Sequence, residues 1–136
     1  MAFTGPVADR MEIRELYGMY ADASARADRA AWLACWATDC RWTSHIFDCS
    51  GHAALGEQWD GVLAMFSELA FMSEVGAIEV AGDAAVGRSV AREIGRLLNG
   101  KLYKLVGCYE DRMVRENGAW LFTRRDYRPV IQEMPE

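Results

Sequence analysis

The chain has 136 residues, 51% of them hydrophobic and 26% charged, with a net charge of −5 at pH 7. That length suits one domain, and the composition excludes disorder and collagen-like structure. The acidic balance argues against nucleic acid as a partner, because phosphate binding needs a clustered positive surface. No apolar run approaches the ~18 residues of a membrane span. The start, MAFTGPVADR, lacks the basic stretch and apolar core of a signal peptide. A cytoplasmic protein with no membrane contact is expected.

In chain order, Thr4 reads as a helix cap and Pro6 suits the first turn. Met11, Leu16, Tyr17 and Tyr20, with Ala23 and Ser24, then make one helical stripe. Asp28 reads as the N-cap of a short second helix whose buried face is Trp32, Leu33 and Trp36. The period changes to two after Asp39, predicting a strand over Arg41 to Phe47 and a weaker one over His52 to Trp59. Val62 to Leu69 reads as a third helix. Val75 to Val80 and Ala85 to Leu98 are predicted strands. The turns Asn99-Gly100 and Glu116-Asn117-Gly118 set off return strands over Lys101 to Val114 and Trp120 to Arg128, the last stopped by Pro129. Helices followed by an antiparallel meander indicate an α+β fold, one domain over 1–136: a curved antiparallel sheet wrapped around N-terminal helices, cone-shaped with an internal pocket.

The long strand separates its faces. Ala85, Gly87, Ser89, Ala91 and Gly95 are small, and Glu93 alone among them is charged. If that face looks toward the helices, the small side chains leave volume above the sheet and Glu93 sits in a partly dry cavity with a raised pKa. The opposite stripe, Arg88, Arg92 and Arg96, suits solvent or a subunit interface. On the neighbouring strand Tyr103 and Tyr109 offer aromatic area with hydroxyl tips, and Asp111 follows on the same face. The last strand carries Arg124 and Arg125. A bulge would swap its faces, so either arginine is able to point inward.

His45, beside Trp42 on the first strand, is an acid–base group suited to neutral pH. Tyr17 and Tyr20 stand one helical turn apart above the pocket, and Trp42 and Trp59 are placed to stack on an aromatic guest. Cys40, His45, Cys49 and His52 are zinc-type ligands close together, but their spacing matches no common zinc pattern. They read as buried thiols and ordinary histidines, with no metal expected.

The segments Arg14-Glu15-Leu16-Tyr17, Ala27-Asp28 and Asp39-Cys40-Arg41-Trp42 resemble the SnoaL-like branch of the nuclear-transport-factor-2-like superfamily. So do the run from Ile78 to Ser89, Gly107-Cys108-Tyr109-Glu110-Asp111 and Arg115-Glu116-Asn117-Gly118-Ala119-Trp120. Together they cover nearly the whole chain. The resemblance implies a cone-shaped fold, a homodimer or higher homo-oligomer, and cofactor-independent chemistry on small apolar or aromatic molecules. By alignment with the family's dehydrochlorinase and dehydratase types, their acid position falls on Ala25 and their histidine near Phe71 or Met72, so that dyad is missing. Their strand arginine matches Arg125. For the epoxide-hydrolase type, Glu93 and Asp126 supply carboxylates, but the intervening arginine is Ala91.

The expected function is a lyase or isomerase, of dehydration, elimination or deformylation type, on a small hydrophobic, aromatic or phenolic substrate. Glu93 or His45 would serve as base and Tyr103 or Arg125 would stabilise developing charge. Tyr17, Tyr20, Trp42, Trp59, Tyr109 and Asp111 would hold the substrate. An epoxide hydrolase and a non-catalytic ligand-binding or assembly domain are the alternatives.

Overall fold

In the computed structural model, which describes residues 1–135, α1 (Val7–Arg26) and α2 (Arg29–Leu33) precede a hairpin of β2 (Trp36–Thr43) and β3 (Asp48–Ser50). After α3 (His52–Leu63) come the long strands β4 (Phe66–Ala81), β5 (Ala84–Leu97), β6 (Leu102–Glu116) and β7 (Ala119–Glu133), with β1 (Phe3–Thr4) at the start of the chain. One seven-stranded sheet results, in the order β1-β4-β5-β6-β7-β2-β3. The expected antiparallel meander forms its centre. β1 joins β4, and β2 joins β7, in parallel. Among the described residues no helix is long and apolar enough to cross a membrane.

The buried face of α1 is Ile13, Leu16, Tyr17, Tyr20, Ala23 and Ser24, a 3–4 residue repeat laid against the sheet. Met11, expected in that stripe, is exposed, and Ile13 takes its place. Thr4 caps nothing: it pairs with Glu79 in β1, and Pro6 occupies the N-cap. Asp28 caps α2 as expected, its carboxylate accepting from the Ala31 N–H at 3.1 Å. Trp36 belongs to β2, not to the α2 face, and is buried beside Trp32 and Phe122.

Two expected elements change type. His52 to Trp59 is helix, with Leu55 and Trp59 buried one turn apart. The helix runs on through Asp60 and Gly61, and Asp60 pairs with Arg29 of α2 at 2.9 Å. Gly56 keeps room for that arginine: a Cβ there would stand 2.4 Å from its Nη2. The expected helix over Val62 to Leu69 is instead the end of α3 and the start of β4, where Phe66 pairs opposite Leu97. Apolar residues at Val62, Met65, Phe66 and Leu69 mimic a helical stripe, but pairing to β5 satisfies the backbone and wins. The first strand also ends early, at Thr43. Ser44 to Phe47 form a tight turn in which the Ser44 N–H donates to the Phe47 carbonyl at 2.9 Å.

β5 and β6 pair without a register break from Ala84–Val114 to Arg96–Leu102, so side chains alternate cleanly on both. β7 has two breaks, one opposite Arg112/Met113 and one opposite Val106/Gly107. Before the first, Trp120 and Phe122 point inward. After it, Arg125 and Tyr127 do. Pro129 sits at the second break and does not end the strand, since a bulge tolerates a missing N–H.

Candidate active site

The inward face of β5 is Ala85, Gly87, Ser89, Ala91, Glu93 and Gly95, as expected. Its small residues leave less volume than expected, because aromatic side chains occupy the gaps. A Cβ on Gly95 would stand 2.3 Å from the Phe66 ring, and one on Gly107 of β6 would stand 2.4 Å from the head of Tyr127. What remains is a small, partly open space at Glu93.

Deeper in the cone lies a sealed polar network. Arg125 and Asp111 have fully buried side chains. The Arg125 Nε donates to Asp111 Oδ1 at 2.8 Å and its Nη2 to Ser89 Oγ at 3.0 Å. The Tyr17 hydroxyl donates to Asp111 Oδ2 at 2.5 Å. The Tyr109 ring centroid is 3.8 Å from the guanidinium carbon, with Tyr20 and Phe122 at 4.4 and 4.5 Å. Burial opposes the guanidinium charge, and the adjacent carboxylate more than compensates, so the Arg125 pKa lies above its ordinary value.

Above this network is a cavity of about 110 Å³ bounded by Glu93, Trp42, Tyr103, Tyr109 and Tyr127. Phe47 and Phe66 close its sides, and His45, Ile46, Met65 and Gln132 surround its mouth. A narrower space of about 30 Å³ also borders Glu93 and is walled by Tyr20, Trp59 and Phe71. An engineered apolar cavity of about 150 Å³ holds benzene, so the larger space, open at its mouth, takes at most a single ring. Glu93 has no hydrogen-bond or ion-pair partner among the described residues. Burial without compensation raises its pKa from 4.5 to about 7. Such a carboxyl exists in both protonation states near neutrality, which suits proton transfer.

Of the residues expected in the site, Glu93, His45, Tyr103, Trp42 and Tyr109 border the cavity, and Tyr20 and Trp59 its extension. His45 lies on the exposed turn between β2 and β3, not on a strand. Tyr17, Asp111 and Arg125 border neither space; their polar groups bond one another. Arg125 is therefore corrected from a group facing substrate to the centre of the buried network. Asp126 projects from the opposite face of β7, where Thr43 and Arg124 donate to it at 2.6 and 2.8 Å. The paired carboxylates required of an epoxide hydrolase do not converge. Ala25 is exposed at the end of α1, and Phe71 pairs opposite Glu93. His52 donates from Nε2 to the Trp36 and Ala37 carbonyls, at 3.1 and 2.9 Å. No group of three or more metal-type side chains assembles among the described residues.

Phe47, Phe66, Tyr127 and Gln132 were not expected in the site. Phe66 stands at the start of β4, where its spacing from Val62 and Leu69 imitates a helix. The bulges of β7 hide the parity of Tyr127 and Gln132, and only the run of tyrosines on β6 hints that aromatic partners face them.

The model of the SnoaL-like domain family matches residues 6–126. No curated protein matches the chain. A candidate aromatic ring hydroxylase from Novosphingobium aromaticivorans superposes with a TM-score of 0.88 at 24% identity, covering 96% of this chain and 95% of that one. A candidate scytalone dehydratase from the same organism gives 0.85 at 22%, covering 93% and 87%. The hexachlorocyclohexane dehydrochlorinase LinA-type3 of Novosphingobium barchaimii gives 0.83 at 18%, covering 93% and 90%. At these identities the neighbours establish a shared fold, while function belongs to the site. The family match spans nearly the whole chain, and the protein belongs to the SnoaL-like domain family.

Proposed function

We propose that the protein is a cofactor-independent lyase for a small, hydrophobic, single-ring substrate, with Glu93 as its proton-transfer group. The observation that carries this reading is an unpartnered carboxyl, with a pKa of about 7, facing a ring-sized aromatic cavity. Glu93 in its carboxylate form takes a proton from the substrate. The electron pair released becomes a new double bond, directly or through the ring, as the leaving group departs with its own bonding pair. Where the leaving group is hydroxide, the proton now on Glu93 completes a molecule of water and the carboxylate is restored. His45, exposed at the mouth, relays protons to solvent. Dehydratase and dehydrochlorinase names among the structural neighbours support elimination chemistry.

The test is a panel of single-ring aromatic alcohols and halides, followed by the absorbance of the conjugated product. Glu93→Gln is expected to retain ligand binding and lose turnover by about 10²–10⁴-fold. Turnover at the wild-type rate in that variant would remove Glu93 from the mechanism. Binding without turnover in the wild type would indicate a ligand-binding domain.

A further inference from the structure

The cavity holds phenolic O–H groups that find no acceptor among the described residues. The Tyr103 oxygen accepts from Gln132 Nε2 at 3.3 Å, which leaves its own O–H unused. The Tyr127 hydroxyl is buried and has no hydrogen-bond partner. Such a group costs stability unless something else satisfies it. Its position is built in: Gly107 leaves no Cβ where the tyrosine head lies, the Tyr109 ring braces it edge-on at 4.8 Å, and the first bulge of β7 turns it inward. Glu93 and Tyr103 are both close enough to act electrostatically on Tyr127. Tyr103, Tyr127 and the Glu93 carboxyl thus share, without bonding one another, a space also bordered by Tyr109, whose oxygen accepts from Trp42 Nε1 at 3.2 Å.

We infer that Tyr127, seconded by Tyr103, holds a substrate oxygen on which negative charge develops, and that the substrate is a conjugated ring compound with a phenolic or enolic hydroxyl. This rests on the reading of the cavity as a substrate site. Glu93 takes the proton of that hydroxyl: the substrate O–H bond breaks, its electron pair stays on the oxygen, and the new O–H bond is on Glu93. The tyrosines donate to the oxyanion and keep their protons, because burial holds both phenols above their ordinary pKa. One substrate oxygen, as donor to Glu93 and acceptor from Tyr127, satisfies both orphan groups.

The probe is 4-nitrophenol, read by its phenolate absorption band and by calorimetric titration at pH 7. The wild type is expected to bind it with a larger phenolate fraction than in buffer, and to bind 4-nitroanisole at least tenfold more weakly. Tyr127→Phe should lose about tenfold in affinity and most of the extra phenolate band, and Tyr103→Phe a smaller part of both. Because the Tyr127 hydroxyl bonds to nothing, Tyr127→Phe should melt at or above the wild-type temperature, which a structural hydroxyl would not allow. Glu93→Gln should still bind the phenolate while losing turnover, so the two proposals fail separately. Absence of nitrophenol binding would overturn the inference. So would equal binding of the anisole, or a folded Tyr127→Phe with wild-type affinity and spectrum.

Discussion

A carboxyl group walled in by aromatic side chains has consequences for stability as well as chemistry. The pKa of Glu93 rises from 4.5 to about 7 on folding because burial penalises its charge. The fold therefore prefers the protonated form. The associated stability, about 3 kcal/mol, is fully present below pH 4.5 and lost as the pH climbs to 7. Glutamine keeps the shape and removes the charge. Glu93→Gln should accordingly be more stable than wild type by about 2–3 kcal/mol at pH 8 and nearly equal to it at pH 4, as read from urea unfolding midpoints. A difference independent of pH would show that Glu93 is not desolvated. This residue was legible in the sequence because β5 pairs with β6 without interruption, so alternation counted along the strand gives the true face. Tyr127 was not legible, since its orientation depends on a bulge that leaves no reliable mark in the residues themselves.

At the scale of elements, β7 does the positioning. One extra residue near Thr123 moves its inward set from Trp120 and Phe122 to Arg125 and Tyr127. It thereby decides the question that alternation alone left open between Arg124 and Arg125. The inward arginine is tolerated because Asp111, on the adjacent strand and in direct register with it, is buried beside it. Removing one partner strands a charge, whereas removing both does not. Asp111→Ala should cost about 3–5 kcal/mol in urea unfolding, and the double replacement Asp111→Leu with Arg125→Met should recover most of that loss. If the double variant is as unstable as Asp111→Ala, the network contributes by shape and not by charge pairing. The α+β class and the hairpin turns were readable from local chemistry. Asn117 and Gly118, for example, adopt the positive φ angles of 51° and 80° that their turn requires. The type of α3 was not readable, because its anchors, Arg29 on Asp60 and Trp59 stacked on Trp32, are tertiary.

For the whole molecule, the cone sets which guests it admits. α1 and α2 fill its base with Tyr20 and Trp32, packed against Trp36 of β2, and the other end is bordered by the α3–β4 junction and the β2–β3 turn. Phe66 comes from that junction. Its ring covers Gly95 and lies 5.7 Å from the ring of Tyr103, so it forms the wall that limits the cavity to about 110 Å³. Phe66→Ala removes the wall, and with it one packing partner of Tyr103, while leaving Glu93 and the tyrosines themselves unsubstituted. The ring is only half-buried, so the cost in stability should be about 1–3 kcal/mol, below the range for a fully enclosed phenylalanine. The ratio of 2-naphthol to phenol affinity, measured by calorimetric titration, should rise at least tenfold, because the second ring gains the volume the benzyl group vacated. An unchanged ratio would mean that selection by size lies at the mouth, with Ile46 and Met65, and not at the wall.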